Sequence, residues 1–161
     1  MTVEKLHEII SNPETRKRED TQYLTDKDIF PRILKLITSA RYELLLVSPW
    51  IYHPEICDLL IQKSSQGVLV KLISRPFKAN DNNKHLQTIE QLDENGIQIA
   101  FIDTIHNKII IKDAEELIQS SKNLTQTRSS PIDGGIWSNI PSVVEQARND
   151  FFSVYKRRFK S

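Results

Sequence analysis

The chain has 161 residues and a mass of 18.7 kDa, with 39% apolar and 27% charged side chains. That is the size of one domain, and the balance excludes a disordered or membrane-embedded chain. Its 22 Lys and Arg against 21 Asp and Glu leave a net charge of +1, so nucleic acid cannot be held by a uniformly basic coat and anion binding has to come from local clustering. The single cysteine, Cys57, excludes an intrachain disulfide framework and a Cys-rich zinc site and fits a reducing compartment. No apolar run is long enough to cross a bilayer, and the N-terminal MTVEKLHEII lacks a signal-peptide core, so the expected location is cytoplasmic, away from membranes.

Residues 3–10 place Leu6, Ile9 and Ile10 at helical spacing. Residues 11–22 hold no large apolar side chain and read as a solvated linker, with Arg16, Lys17 and Arg18 as a small basic run. The expected division is therefore an N-terminal helix and polar linker over 1–22 and one domain over 23–161. Within it, 28–40 is a helix with Ile29, Ile33, Leu34 and Ile37 on one face. The apolar run 42–48 is a strand buried on both sides and ended by Pro49. Residues 54–65 form a helix with Pro54 in its first turn and Gly67 past its end. A strand over 68–74, a helix over 82–94 closed by Gly96, and a strand over 97–102 complete a βαβαβ order. The rhythm then changes. Runs 106–112 and 116–121 are separated by about a turn and read as an antiparallel pair. Ile136 and Trp137 fit one more strand. Residues 142–159 close the chain as a helix with Val144, Ala147, Phe151, Val154 and Tyr155 facing inward. The expected fold class is α/β, a mixed, largely parallel sheet with helices on both faces.

The chemistry concentrates in 105–125. His106 and Lys108 are two apart on an expected strand, and side chains two apart share a face. Ser121 and Asn123 end the next run with the same spacing. If the two runs pair, an imidazole, an ammonium, a hydroxyl and an amide converge. A positive charge with neutral donors suits the non-bridging oxygens of a phosphate.

These residues resemble the phospholipase D superfamily motif, H-x-K-x4-D followed by x6-G-S-x-N. His106, Lys108 and Asp113 match the first half; Ser121 and Asn123 match the second, with Ser120 where the family usually has glycine. The resemblance implies metal-independent, cofactor-free cleavage of a phosphodiester in two steps. One histidine attacks phosphorus and is covalently phosphorylated. A second protonates the leaving alcohol and then activates water. Lysine and asparagine side chains hold the phosphate oxygens. Of the four histidines, His7, His53 and His85 have no lysine two residues on. The resemblance therefore implies a homodimer in which two His106 residues face each other across a twofold axis. It also implies a carboxylate that orients the histidine; Asp133 is the candidate, although Pro131 stands where the family's neighbouring asparagine would be. Asp113, at a strand end, is expected to hold the turn rather than touch substrate.

Trp50, Arg75 and Lys78 follow the first two strands of the βαβ unit, where sites of open sheets gather, and Lys122 and Arg128 flank the motif. All five are candidate substrate contacts. The activity so implied is a phosphodiesterase, most plainly a nuclease on DNA or RNA. A non-catalytic nucleic-acid-binding domain and a phospholipid phosphodiesterase are the alternatives; the second lacks an amphipathic membrane helix.

Overall fold

The computed structural model describes residues 3–4, 18–78, 83–125 and 132–157. Of the expected helix over 3–10 only residues 3 and 4, which are helical, are among them; the rest of it, most of the linker, and Arg128 lie outside. Among the described residues from 18 on, one seven-stranded sheet carries helices in the order β1 (Thr21–Thr25), α1 (Asp26–Thr38), β2 (Glu43–Val47), α2 (Pro54–Ser65), β3 (Leu69–Ser74), α3 (Asn83–Glu94), β4 (Gln98–Phe101), β5 (Ile109–Lys112), β6 (Glu116–Ser120), β7 (Gly134–Ser138) and α4 (Pro141–Arg157). Across the sheet the strands run β1-β7-β6-β5-β2-β3-β4.

The expected mixed α/β sheet is what forms, with helices on both faces, but its parallel share is smaller than expected. Only β2–β3 and β3–β4 pair parallel; β2–β5, β5–β6, β6–β7 and β7–β1 are antiparallel. For β5 and β6 the reason is connection length. Parallel neighbours need a crossover of about a dozen residues or more, which α2 and α3 supply. Between β5 and β6 there is only a turn, with Asp113 and Ala114 at φ of 52° and 53°.

β1 was expected to be linker at its start: Thr21 and Gln22 already lie in the edge strand, paired with Ser138 and Trp137. Of its five residues only Leu24 is buried. A short polar edge strand carries almost no apolar signal, so nothing in its composition separates it from a linker.

Two cores sandwich the sheet. Ile29, Ile33, Leu36 and Ile37 of α1 pack with Ile56 and Leu60 of α2 and Leu92 of α3 on one face. Leu36 takes the buried place expected of Leu34, which is only partly covered. On the other face Val144, Phe151 and Tyr155 of α4 pack against Leu45, Val47, Ile111 and Leu117 of the sheet. β2 serves both, since alternate residues point to opposite sides: Leu44 and Leu46 enter the first core, Leu45 and Val47 the second. Each fully buried leucine contributes about 2 kcal/mol. Arg148 fastens α4 to the start of β2 through two bonds to the Glu43 carboxylate, 2.8 and 3.0 Å.

Candidate active site

The carboxyl ends of β2, β3, β4 and β6 and the amino ends of β5 and β7 fall on one edge of the molecule. An open cleft of about 530 Å³ lies there, lined by His106, Lys108, Ser121, Gly134 and Tyr23 among others. His106, Lys108 and Ser121 are thus brought together, though not quite as expected. β5 begins only at Ile109, so His106 and Lys108 precede the strand. Ile109 faces Val47, the last residue of β2, and beyond it the chain turns at Pro49; residues 106–108 have no partner strand on that side. On the other side the ladder runs one step further, Ser120 N donating to Lys108 O at 3.1 Å. The Lys108 ammonium donates to His106 O at 2.9 Å, which folds the segment back on itself. The imidazole of His106 is exposed.

Ser121 is held on both sides. Its hydroxyl donates to Asp133 Oδ1 at 2.6 Å and accepts from Gly134 N at 3.2 Å. Asp133 was expected to orient His106; the hydrogen bond it makes is to Ser121. Its position explains this: it immediately precedes β7, whose Gly135 pairs with Ser120, so its short side chain meets the end of β6 first. That pairing also accommodates the departure from the family glycine. A Cβ on Gly135 would stand 2.9 Å from the Ser120 Cβ and 2.8 Å from Gln119 O, so the pair has room for one side chain, and it is on Ser120.

Asn123, expected to converge with His106, Lys108 and Ser121, does not line the cleft; it is half-buried against the loop after β2, where its Oδ1 accepts from Trp50 N at 3.4 Å. With Oδ1 so engaged, its amide nitrogen is the atom left to donate to an anion. The segment is bolted down by Leu124, whose N–H donates to Ser48 Oγ (3.1 Å) and whose carbonyl accepts from Tyr52 N and His53 N (2.8 and 3.0 Å). Ser74 Oγ in turn donates to Ser48 O at 2.8 Å. These two buried serines carry no sequence signal beyond their place at strand ends.

Asp113 sits at the far end of β5, away from the cleft. Its carboxylate accepts from the backbone N–H of Arg41, Tyr42 and Glu43 at 2.9, 2.8 and 2.9 Å. It closes the entry to β2, a segment outside the turn that it was expected to hold.

The wider contacts divide. Lys122 is 5% exposed, ion-paired with Asp26 and lying 5.0 Å over the Phe30 ring. It braces α1, which corrects its expected place as a substrate contact; a side chain next to Ser121 in an extended segment points to the opposite face. Trp50, Arg75 and Lys78 lie on the loops after β2 and β3 and do not line the cleft. The Arg75 guanidinium stacks 4.0 Å over the Trp50 ring. His85, fully buried, meets the edge of that ring. Its Nδ1 accepts from Ile51 N at 3.1 Å, and its Nε2 faces Arg75 O at 3.4 Å. His53 caps α2, its Nδ1 accepting from Ile56 N at 3.4 Å. Burial pushes the Cys57 thiol up to about 12, which leaves it unreactive. Among the described residues, no group of three His, Cys, Asp or Glu is placed to hold a metal, and no helix is long and apolar enough to cross a membrane.

A mixed sheet with an imidazole, an ammonium and a hydroxyl at one edge, and a structural aspartate at the other, defines the class of phospholipase D-like domains. The family model described as "Cardiolipin synthase, PLD-like domain" matches residues 33–155, and the chain belongs to the phospholipase D superfamily. Among solved structures, NucT from Helicobacter pylori aligns over 89% of this chain and 98% of its own, at a TM-score of 0.74 and 16% identity. Nuc from Salmonella typhimurium, a phospholipase D family member, aligns over 88% and 93% at 0.70 and 19% identity. The archaeal chromatin protein TrmBL2 covers 95% of this chain and 58% of its own at 0.64 and 19%. At such identities these likenesses concern the fold. No curated protein sequence matches the chain.

Proposed function

We propose that this protein is a metal-independent phosphodiesterase, a nuclease on DNA or RNA, that works as a homodimer through a phosphohistidine. The observation that carries the reading is the meeting of His106, Lys108 and Ser121 on one open cleft. In the reaction the His106 imidazole forms a P–N bond as the bond from phosphorus to the leaving oxygen breaks. A second imidazole gives that oxygen its proton. The same imidazole then takes a proton from water, whose oxygen attacks phosphorus and releases His106. Lys108 and the Asn123 amide hold the oxygens through the charged transition state.

The second imidazole is the partner subunit's His106. Among the described residues His85 is buried and His53 caps a helix, so neither is available at the cleft; His7 lies outside them. An apolar groove of about 420 Å³ continues from the cleft, with Ile136 and Val143 on it 44% and 42% exposed. This is the surface a second copy would cover. The DNA binding of TrmBL2 supports a nucleic-acid substrate and equally fits a domain that binds without cutting.

Incubation with single- and double-stranded DNA and RNA in EDTA tests the reading. Cleavage is expected, with an acid-labile phosphate adduct on His106 by mass spectrometry and a dimer in sedimentation. EDTA inhibition, an active His106→Ala protein, or a fully active monomer would reject it. Binding without cleavage would favour the second reading.

A further inference from the structure

The cleft has a wall with no counterpart in the motif. Tyr23 of β1 lines it together with His106, Lys108 and Ser121, and the side chain is 74% exposed. Tyrosine ordinarily buries most of its ring. This ring is nevertheless set in place. It pairs across the strands with Ile136 and lies over Gly134, where a Cβ would collide with the Tyr23 Oη and come 3.1 Å from its Cζ. Gly134 leaves the space that the phenol occupies, and Gly134 N donates to Ser121 Oγ. The Tyr23 ring therefore stands over the strand that positions the Ser121 hydroxyl. Trp50 differs: its ring is already covered by the Arg75 guanidinium.

We propose that Tyr23 is a substrate contact on which a nucleobase beside the scissile phosphate stacks. A rigid, exposed ring next to a phosphate-binding cation is what a polynucleotide strand uses: the cation takes the backbone, the ring takes a base. Stacking needs a free base face, so the favoured substrate is unpaired at that position. A phospholipid headgroup offers no such face. The inference rests on the phosphodiesterase reading and deepens it.

The test is binding in EDTA of a fluorescent single-stranded oligonucleotide to His106→Ala protein, which prevents turnover, with and without Tyr23→Ala or Tyr23→Phe. Tyr23→Ala is expected to weaken binding about tenfold, and Tyr23→Phe, which keeps the ring, about twofold or less. In the otherwise wild-type enzyme, the loss caused by Tyr23→Ala should be about tenfold greater on the oligonucleotide than on methyl p-nitrophenyl phosphate, which has no base. Equal losses on the two substrates, unchanged oligonucleotide binding, or Phe as damaging as Ala would overturn the proposal. So would a Tyr23→Ala protein that sediments at half the wild-type mass, which would make Tyr23 a subunit contact, or binding of anionic phospholipid vesicles in preference to the oligonucleotide. If the wild-type protein cuts nothing, the nuclease reading fails, while the binding arm still decides for or against Tyr23.

Discussion

The two halves of one sheet differ in how they are covered. In the parallel half, β2 and β3 are covered on both faces, and the residues of β2 after Glu43 are all buried. In the antiparallel half, β7 and β1 are covered on one face by α1 and left partly open on the other; Tyr23 and Ile136 stand at 74% and 44% exposure. His106, Lys108 and Ser121 belong to this second half. A reactive imidazole and a phosphate-binding cation need access and water, which a strand buried on both faces denies them. On the proposed reading, the parallel half is the buried support and the antiparallel half carries the chemistry.

The widest separation between the halves is expected in activity. His106→Ala should lower phosphodiester hydrolysis at least ~10³-fold with an unchanged melting curve, since nucleophile removal costs rate and an exposed imidazole contributes little to packing. A large loss of stability in that variant would break the division of labour. Stability should show the reverse. Leu46→Ala, at a fully buried position, should cost about 3 kcal/mol in urea unfolding, whereas Ile136→Ala, half-exposed within one subunit, should cost under about 1 kcal/mol at protein concentrations low enough to dissociate the dimer. Equal costs would mean that the open face is as tightly packed as the closed one.

Asp113 sharpens the comparison because it belongs to the motif but lies at the opposite edge from the cleft. Asp113→Ala leaves three backbone N–H groups without their acceptor and should cost about 2 kcal/mol. Asp113→Asn keeps an acceptor and tolerates the left-handed backbone, and should cost about half that. Turnover per folded molecule should hold in both, by active-site titration; a fall would give Asp113 a part in the chemistry.

The smallest effect is expected at His53. Burial lowers its pKa below 6.5, against the opposing charge of Glu55, and the neutral ring accepts from Ile56 N. The folded-state pKa is depressed, so this contribution is present above about pH 6.5 and is lost as the pH falls through the folded value. Stability measured at about pH 7.5 and 5.5 should fall slightly more in the wild type than in His53→Asn, which keeps the cap without the titration. The same slope in both would assign it elsewhere.

Much of this was legible in the sequence wherever a local period or a fixed spacing carried the signal. The helices, β2 to β4 and the α4 stripe follow from apolar residues at 3.6 or in short runs, because each element buries its own face. The meeting of His106 and Lys108 with Ser121 was legible in the motif spacing. What local pattern cannot carry is pairing. β1 is polar and short, and only its register against β7 makes it a strand and brings Tyr23 to the cleft. Lys122 read as a site residue by its place beside the motif and Asp133 by the family resemblance, yet the alternation at the end of β6 turns Lys122 into the α1 core, and the Ser120–Gly135 register gives Asp133 to Ser121. Which side chain reaches the cleft is decided by strand register, where one step exchanges the two faces. By itself the sequence determined the helices, most of the strands and the candidate reactive groups; the tertiary structure decided which of those groups share a cleft, because that depends on pairings between residues far apart in the chain.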